Sequence, residues 1–367
     1  MRVKNICYRL HLWIGLLVGI IVFIVSITGA IYLFKDDIVS MSEPWRKVNV
    51  ENRRFLPTFQ LLEIANQKVH NSHPSAITIG GRDESVKVDY FGEGNQTAVY
   101  LNPYSGKVIK ECKENGCFDF FKFILEGHLR LWLPQEIGKP LVSYTVLLFF
   151  FTLITGMVVW WPRRLTKKSI KARIAFHRPL KSKRFIMDLH NVMGFYMLLP
   201  MIAVSLTGLI FGLDWFSNTI YKMASGGKDM AVYTLPLSDT TLSGRSSASI
   251  DLLEAKVKQE TPSAVQYYYA LPTDSTGSYR VSVVHEKGSY YKQDNLFFDQ
   301  YTLKELKGSG PYAGRYQSGS FADKLIHSAL DLHEGIILGW LGKLIMLLAA
   351  LTSASLPITG YLMWKRK

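Results

Sequence analysis

Four long apolar runs, at about 12–34, 141–161, 191–213 and 336–363, interrupt an otherwise mixed chain. At about 1.5 Å per residue each can cross a hydrocarbon core of roughly 30 Å, so each predicts a transmembrane helix. The first is too long for a signal-peptide core and no small-residue cleavage site follows it, so it reads as a retained helix. Between the runs the pattern changes. SVKVDYF (85–91), TAVYL (97–101), YRVSVV (279–284) and NLFFD (295–299) alternate apolar and polar positions and predict strands, with a helix ahead of them in each segment. NPYSGK (102–107) has the turn chemistry of a strand end, and the run YYY at 267–269 reads as strand packing.

The same pattern occurs twice. His11, Gly15 and SITG (26–29) are answered by His190, Gly194 and SLTG (205–208), with four residues from His to Gly and fifteen from His to Ser in both. ITGMVVWW (154–161) is answered by ITGYLMW (358–364), and His128 aligns with His333 if one residue is skipped. LLE then PSAI (61–63, 74–77) is answered by LLE then PSAV (252–254, 262–265), and NPYSGKV (102–108) by DQYTLKE (299–305). The fold class this predicts is an α-helical membrane protein, a four-helix bundle built from two repeated halves (about 1–165 and 185–367), each with an inserted α+β domain. The boundaries are a first span at 1–34, an outer domain at 35–127, a second span with an interfacial approach at 128–161 and a basic loop at 162–184. A third span at 185–214, a second outer domain at 215–326 and a fourth span at 327–367 complete the chain. Pro134 and Pro140 follow His128, so its helix must break or lie along the interface before the second run.

Charge orients this scheme. The formal net charge is +14, and mean hydropathy is just above zero, as expected for spans mixed with polar domains. Residues 1–10, residues 162–188 and the terminal KRK together carry +15, so the rest of the chain sums to about −1. Basic excess confined to short loops is the positive-inside pattern, which puts both termini and the loop in the cytoplasm and argues against nucleic acid as a partner. Cys112 and Cys117 then fall on the outer side, where a disulfide can persist as a short staple or act as a redox dithiol, while Cys7 falls on the reducing side. The tryptophans cluster near the span ends as an aromatic belt.

Of nine histidines, the duplication singles out four. His11 and His190 lie at the cytoplasmic ends of the first and third spans, and His128 and His333 at the outer approach to the second and fourth. An imidazole at a helix mouth can hydrogen-bond headgroups or loop carbonyls, and a proton relay is a further role. No intramembrane Asp or Glu accompanies these four, however, and their pairing by face favours metal ligation. Zinc wants three or four protein ligands, whereas each face offers two His. Two imidazoles from facing helices suit a six-coordinate haem, whose porphyrin supplies the other four donors. Gly15 and Gly194, one turn beyond their histidines, leave room for a flat macrocycle, and Gly29 and Gly208 return to the same helix face near the outer pair; helix packing would use them equally well. His327 reads as an outer-surface residue or fallback ligand, and His70, His73, His177 and His285 as solvated.

The ordered set RLH-x3-G, TG, H…G…ITG-x3-W-W-P with a basic end, DLH-x3-G and LH-x-G…TG-x3-W resembles the PepSY-associated transmembrane family across essentially the whole chain. That resemblance implies a bacterial inner-membrane protein with four helices and periplasmic PepSY-like modules, similar to haem-containing ferric-siderophore reductases. It implies two b-type haems with His11–His190 and His128–His333 as axial pairs. The function expected is electron transfer from a quinol or cytosolic reductase to a periplasmic acceptor such as a ferric siderophore, with no separate catalytic residue assigned. A membrane-anchored module binding periplasmic peptides or proteases, with structural histidines, is the competing expectation, and a transporter a third.

Overall fold

The computed structural model describes all residues except 1, 70–71, 93–94, 114–119, 178–181, 243–246 and 366–367. Cys117, and with it the expected Cys112–Cys117 disulfide, lies outside the described residues, as does His70. The chain divides into a helical unit (Met1–Asp36, Asp119–Ile220 and Ala329–Lys367) and a sheet unit (Asp37–Phe118 and Tyr221–Ser328).

In the helical unit, α1 (Arg2–Tyr32) is followed by α2 (Phe120–Arg130), α3 (Gln135–Trp160), α4 (Leu198–Gly212), α5 (Ala329–Glu334) and α6 (Gly339–Lys365). Helices α1, α3 and α6 are each long and apolar enough to cross a membrane, and a fourth span exists if the bent pair ending in α4 is counted as one. α1 packs along both α3 and α6, and α3 also packs on α4.

The break expected after His128 is there. Leu131 and Trp132 both take positive φ (55° and 58°), which turns the chain between α2 and α3. Non-glycine residues reach that region only when their surroundings hold them. Here the Trp132 indole stacks on Phe123, donates from Nε1 to the Phe123 carbonyl at 2.8 Å, and fills the space left by the missing side chain of Gly127. The second half makes its turn with glycines, Gly335 (φ 74°) and Gly339 (φ 60°), between α5 and α6.

The third apolar run departs from the continuous helix expected over 191–213. A helix at Ser182–Asp188 passes into a π-turn at Leu189–Met193, and Lys183–Tyr196 meets α4 at 63°. Pro200 explains the bend: it has no N–H to donate, and its ring would strike the carbonyl of Tyr196 four residues back. His190 therefore sits on the π-turn, a distortion that often marks functional positions.

The sheet unit is a single eight-stranded antiparallel sheet. Its strands are β1 (Ala76–Ile79), β2 (Val86–Gly92), β3 (Asn95–Leu101), β4 (Val108–Lys113), β5 (Gln266–Ala270), β6 (Ser278–Val284), β7 (Gln293–Asp299) and β8 (Glu305–Leu306). They lie in the order β4-β3-β2-β1-β5-β6-β7-β8, so four come from each of the two segments between apolar runs, joined where Ile77 faces Tyr269 and Ile79 faces Tyr267. The helices Thr58–Asn66 and Ile250–Glu260 lie side by side, with the Phe59 N–H donating to Asp251 Oδ1 at 3.2 Å and the Thr58 hydroxyl to Glu254. Leu61, Ala65, Leu253 and Val257 from these helices share one core with Ile77, Val88, Tyr269 and Val281 from the strands. Tyr267 and Tyr269 point into that core, while Tyr268 on the other face meets the Arg280 guanidinium, so the tyrosine run is strand packing as expected.

Because that core is common to both segments, Leu253→Ala is expected to destabilise the sheet unit by about 2–5 kcal/mol, the usual cost of emptying a fully buried leucine site. Hydrogen exchange on the full chain checks it: protection should fall on β1–β3 as well as on β5–β7. Loss confined to the second segment's strands would show two independent cores.

Candidate functional site: two histidine pairs

The helical unit brings the four duplicated histidines together two by two. The His11 and His190 ring centroids are 6.1 Å apart with planes at 90°, and those of His128 and His333 are 6.1 Å apart at 71°. His11 lies near the start of α1, whereas the ring of His128 docks near Val25 and Thr28 of the same helix. At about 1.5 Å per residue the two pairs are separated by roughly 20–25 Å along α1.

Each ring is held by a helix other than its own. His11 Nδ1–H donates to the Thr152 carbonyl at 3.0 Å, and His128 Nδ1–H to the Val25 carbonyl at 2.9 Å. A carbonyl only accepts, so Nδ1 carries the proton in both and Nε2 keeps its lone pair. His190 and His333 reach hydroxyls instead, Thr359 Oγ1 and Thr207 Oγ1, each at 2.9 Å. Those hydroxyls give their own protons to carbonyls one turn back, Ser355 at 2.9 Å and Ala203 at 2.8 Å, and so accept from the imidazoles. All four rings therefore share one tautomer. None of the four Nε2 atoms makes a hydrogen bond among the described residues. This is the arrangement by which an outer hydrogen bond orients an imidazole for a metal.

A glycine backs each ring. A Cβ on Gly156 would come within 2.8 Å of His11 Cε1, and one on Gly29 within 2.8 Å of His128 Cε1. At Gly360 and Gly208 the corresponding distances to His190 and His333 are 3.5 and 3.6 Å, ordinary contact. Gly29 and Gly208 thus lie at the His128–His333 pair, where they back the imidazoles directly. The sequence contains the signal for the whole set in the Thr-Gly steps of its apolar runs, one in each of the four. It does not say which histidine each step receives, and Gly156, Gly360, Thr207 and Thr359 were missed as histidine supports for that reason.

Around the first pair lies a cavity of about 470 Å³ lined by His11, His190, Gly15 and Gly194 among mainly apolar side chains. Small-molecule and cofactor sites typically fall between about 300 and 1,000 Å³. Trp160 and Phe195, also in its wall, stack nearly flat at 4.2 Å, and the Trp160 Nε1 is a buried donor with no hydrogen-bond partner among the described residues. Among the described residues no three His, Cys, Asp or Glu side chains converge on one point.

The remaining histidines differ from expectation in three places. His327 is buried rather than on the surface, its ring edge-on to Tyr312 at 5.2 Å, and it joins neither pair. His285 is not solvated but bonds the buried Asp294 carboxylate at 2.8 Å. His177 likewise sits against the buried Asp188, which Arg184 also holds at 3.0 Å. His73 is exposed, as the solvated reading expected, and the His177 side chain stays 38% exposed beside Asp188.

These features define a membrane protein with a helical unit that carries two histidine pairs, and a second unit built on an antiparallel sheet. The chain belongs to the family described as the PepSY-associated TM region, which matches residues 8–367. None of the curated proteins matches it.

Proposed function

We propose that the protein carries two haem b groups, one between His11 and His190 and one between His128 and His333, and passes electrons across a bacterial inner membrane. The observation that carries this reading is the set of four Nε2 lone pairs left open in two facing pairs. A metal held by two imidazoles at about 2 Å, with each ring centre about 1 Å behind its nitrogen, sets the centroids about 6 Å apart, which suits both pairs. The cavity at the first pair and the unpaired Trp160 N–H in its wall also fit a flat apolar ring with carboxylate substituents. Haem iron supplies a reversible one-electron couple. The chain's own groups fix the ligand tautomer through Thr152, Thr359, Val25 and Thr207, and the apolar walls of the cavity at His11 and His190 would keep water from that iron.

In this reading both termini and the loop at 162–184 are cytoplasmic and the sheet unit is periplasmic, in line with the basic residues concentrated at one end. A quinol or cytosolic reductase supplies electrons at the His11–His190 end, and a ferric siderophore takes them at the other. Reduction to Fe(II) weakens binding by hard oxygen ligands and releases the metal. His11 with His190, and His128 with His333, would hold the two haems, which would supply one-electron transfer without direct contact between substrate and iron.

The test is a pyridine haemochrome assay with a dithionite-reduced spectrum on protein from haem-supplied cells. Two haems per chain and a sharp α-band are expected. Absence of a Soret band would overturn the redox reading and leave peptide or protease binding by the sheet unit as the function. The outer hydrogen bonds make a finer prediction. Thr359→Val keeps the side-chain shape but removes the acceptor for His190 Nδ1–H, and such changes typically cost 10–100-fold in affinity for the metal group. Haem transfer to apomyoglobin should accelerate to about that extent for one of the two haems, with Thr207→Val acting on the other.

A further inference from the structure

A second cavity, of about 660 Å³, opens at the N-terminal end of α1, and it has the opposite character to the first. Lys4, Arg163, Arg164 and Arg173 line it, with no acidic residue among the described ones. None of the four forms an ion pair among the described residues. Two of them have an evident structural use, since Lys4 Nζ donates to the Trp161 carbonyl and an Arg173 Nη donates to the Trp160 carbonyl, capping the C-terminal end of α3. Arg163 and Arg164 have no such bond. They sit beside the buried Pro162 with the Ser169 hydroxyl nearby in the same wall.

Four cations held around one concavity repel one another, and helix capping uses only two of them. What satisfies the rest is an anion with several acceptor oxygens, and guanidinium pairs match phosphate geometry in particular. The position narrows the choice. Lys4 lies seven residues before His11, about 10 Å along α1, at the level of Trp160 and Trp161 where a span leaves the hydrocarbon. Basic pockets between helices at that depth suit phosphate-bearing headgroups.

We propose that this cavity is a phosphate-binding site, filled by the headgroup of an anionic phospholipid through Arg163, Arg164, Lys4 and Arg173. Tyr8 and Val159 line both this cavity and the one between His11 and His190. A bound phosphate would therefore place negative charge one side chain away from the first histidine pair. The proposal does not depend on haem, and its test is read without it.

Full-length protein reconstituted in phosphatidylcholine discs containing a minor share of phosphatidylglycerol is released into detergent and examined by native mass spectrometry. The wild type should keep one phosphatidylglycerol per chain, and R163Q/R164Q should lower its retention at least about tenfold. K167Q/K168Q, equal in charge but outside the cavity, should retain it like the wild type. A parallel arm titrates delipidated protein with inorganic pyrophosphate. If pyrophosphate binds with the same variant sensitivity while the wild type retains no phosphatidylglycerol, the phosphate site stands and a soluble phosphate compound, not the lipid, is its source. Equal loss in both double variants, or no loss in R163Q/R164Q, would show only diffuse surface attraction and overturn the site.

Discussion

Replacing His190 by alanine should lower haem content from about two to about one per chain while leaving a reduced α-band from the other site. His333→Ala should do the same from the opposite end, and the two substitutions together should remove the haem altogether. The expectation follows from the pairing: each iron would lose one of only two protein ligands, and no other metal-ligating group converges there among the described residues. His73→Ala provides the control, since that imidazole is exposed in the sheet unit and outside either pair. Haem-to-protein ratio and the reduced spectrum together check the result. If neither single variant loses haem, the ligand assignment fails even though the protein contains haem.

The glycines behind the rings give a second large effect, with a sign that ordinary helix propensity would not predict. Alanine in the interior of a helix is favoured over glycine by about 0.8–1.0 kcal/mol, so a Gly→Ala change in an apolar helix should be neutral or stabilising. Gly208→Ala and Gly360→Ala should behave that way, because the new methyl meets the imidazole at 3.6 and 3.5 Å. Gly29→Ala and Gly156→Ala should not. Their methyl groups would arrive 2.8 Å from Cε1, well inside the roughly 3.5–4.0 Å of a carbon–carbon contact, so His128 or His11 must move. Ligand geometry tolerates displacements of only about 0.5 Å. Each of these two variants should therefore weaken one haem site at least about tenfold while the other site keeps its occupancy. Haem affinity measured for all four variants decides the matter, and equal behaviour of the four would refute the contact as the cause.

Much of this architecture was readable from local pattern. The apolar runs, the alternating strands and the doubling of motifs are all properties of neighbouring residues, and the helices and strands appear where those patterns lie. The break after His128 was readable too, because proline states its own constraint. What the pattern did not reveal are relations between distant residues. Nothing in AITI or QYYYA says that β1 and β5 pair, since each is simply a strand with one apolar face. The bend before α4 was written in Pro200 but hidden by a run of apolar residues that looked continuous. In the same way, the Thr-Gly steps were visible as repeats while their histidine partners, up to 169 residues away, were not.

The crossed arrangement of supports and pairs bears on how such a protein is made. His11 and His128 are both held by helices of the N-terminal half, through Thr152 and Val25, and His190 and His333 by helices of the C-terminal half, through Thr359 and Thr207. Each half thus presets two imidazoles during synthesis, yet owns no complete ligand pair. If the proposed haems bind there, the His11–His190 site would gain its Thr359 support only with the last helix, and each haem would clasp an early segment of the chain to a late one.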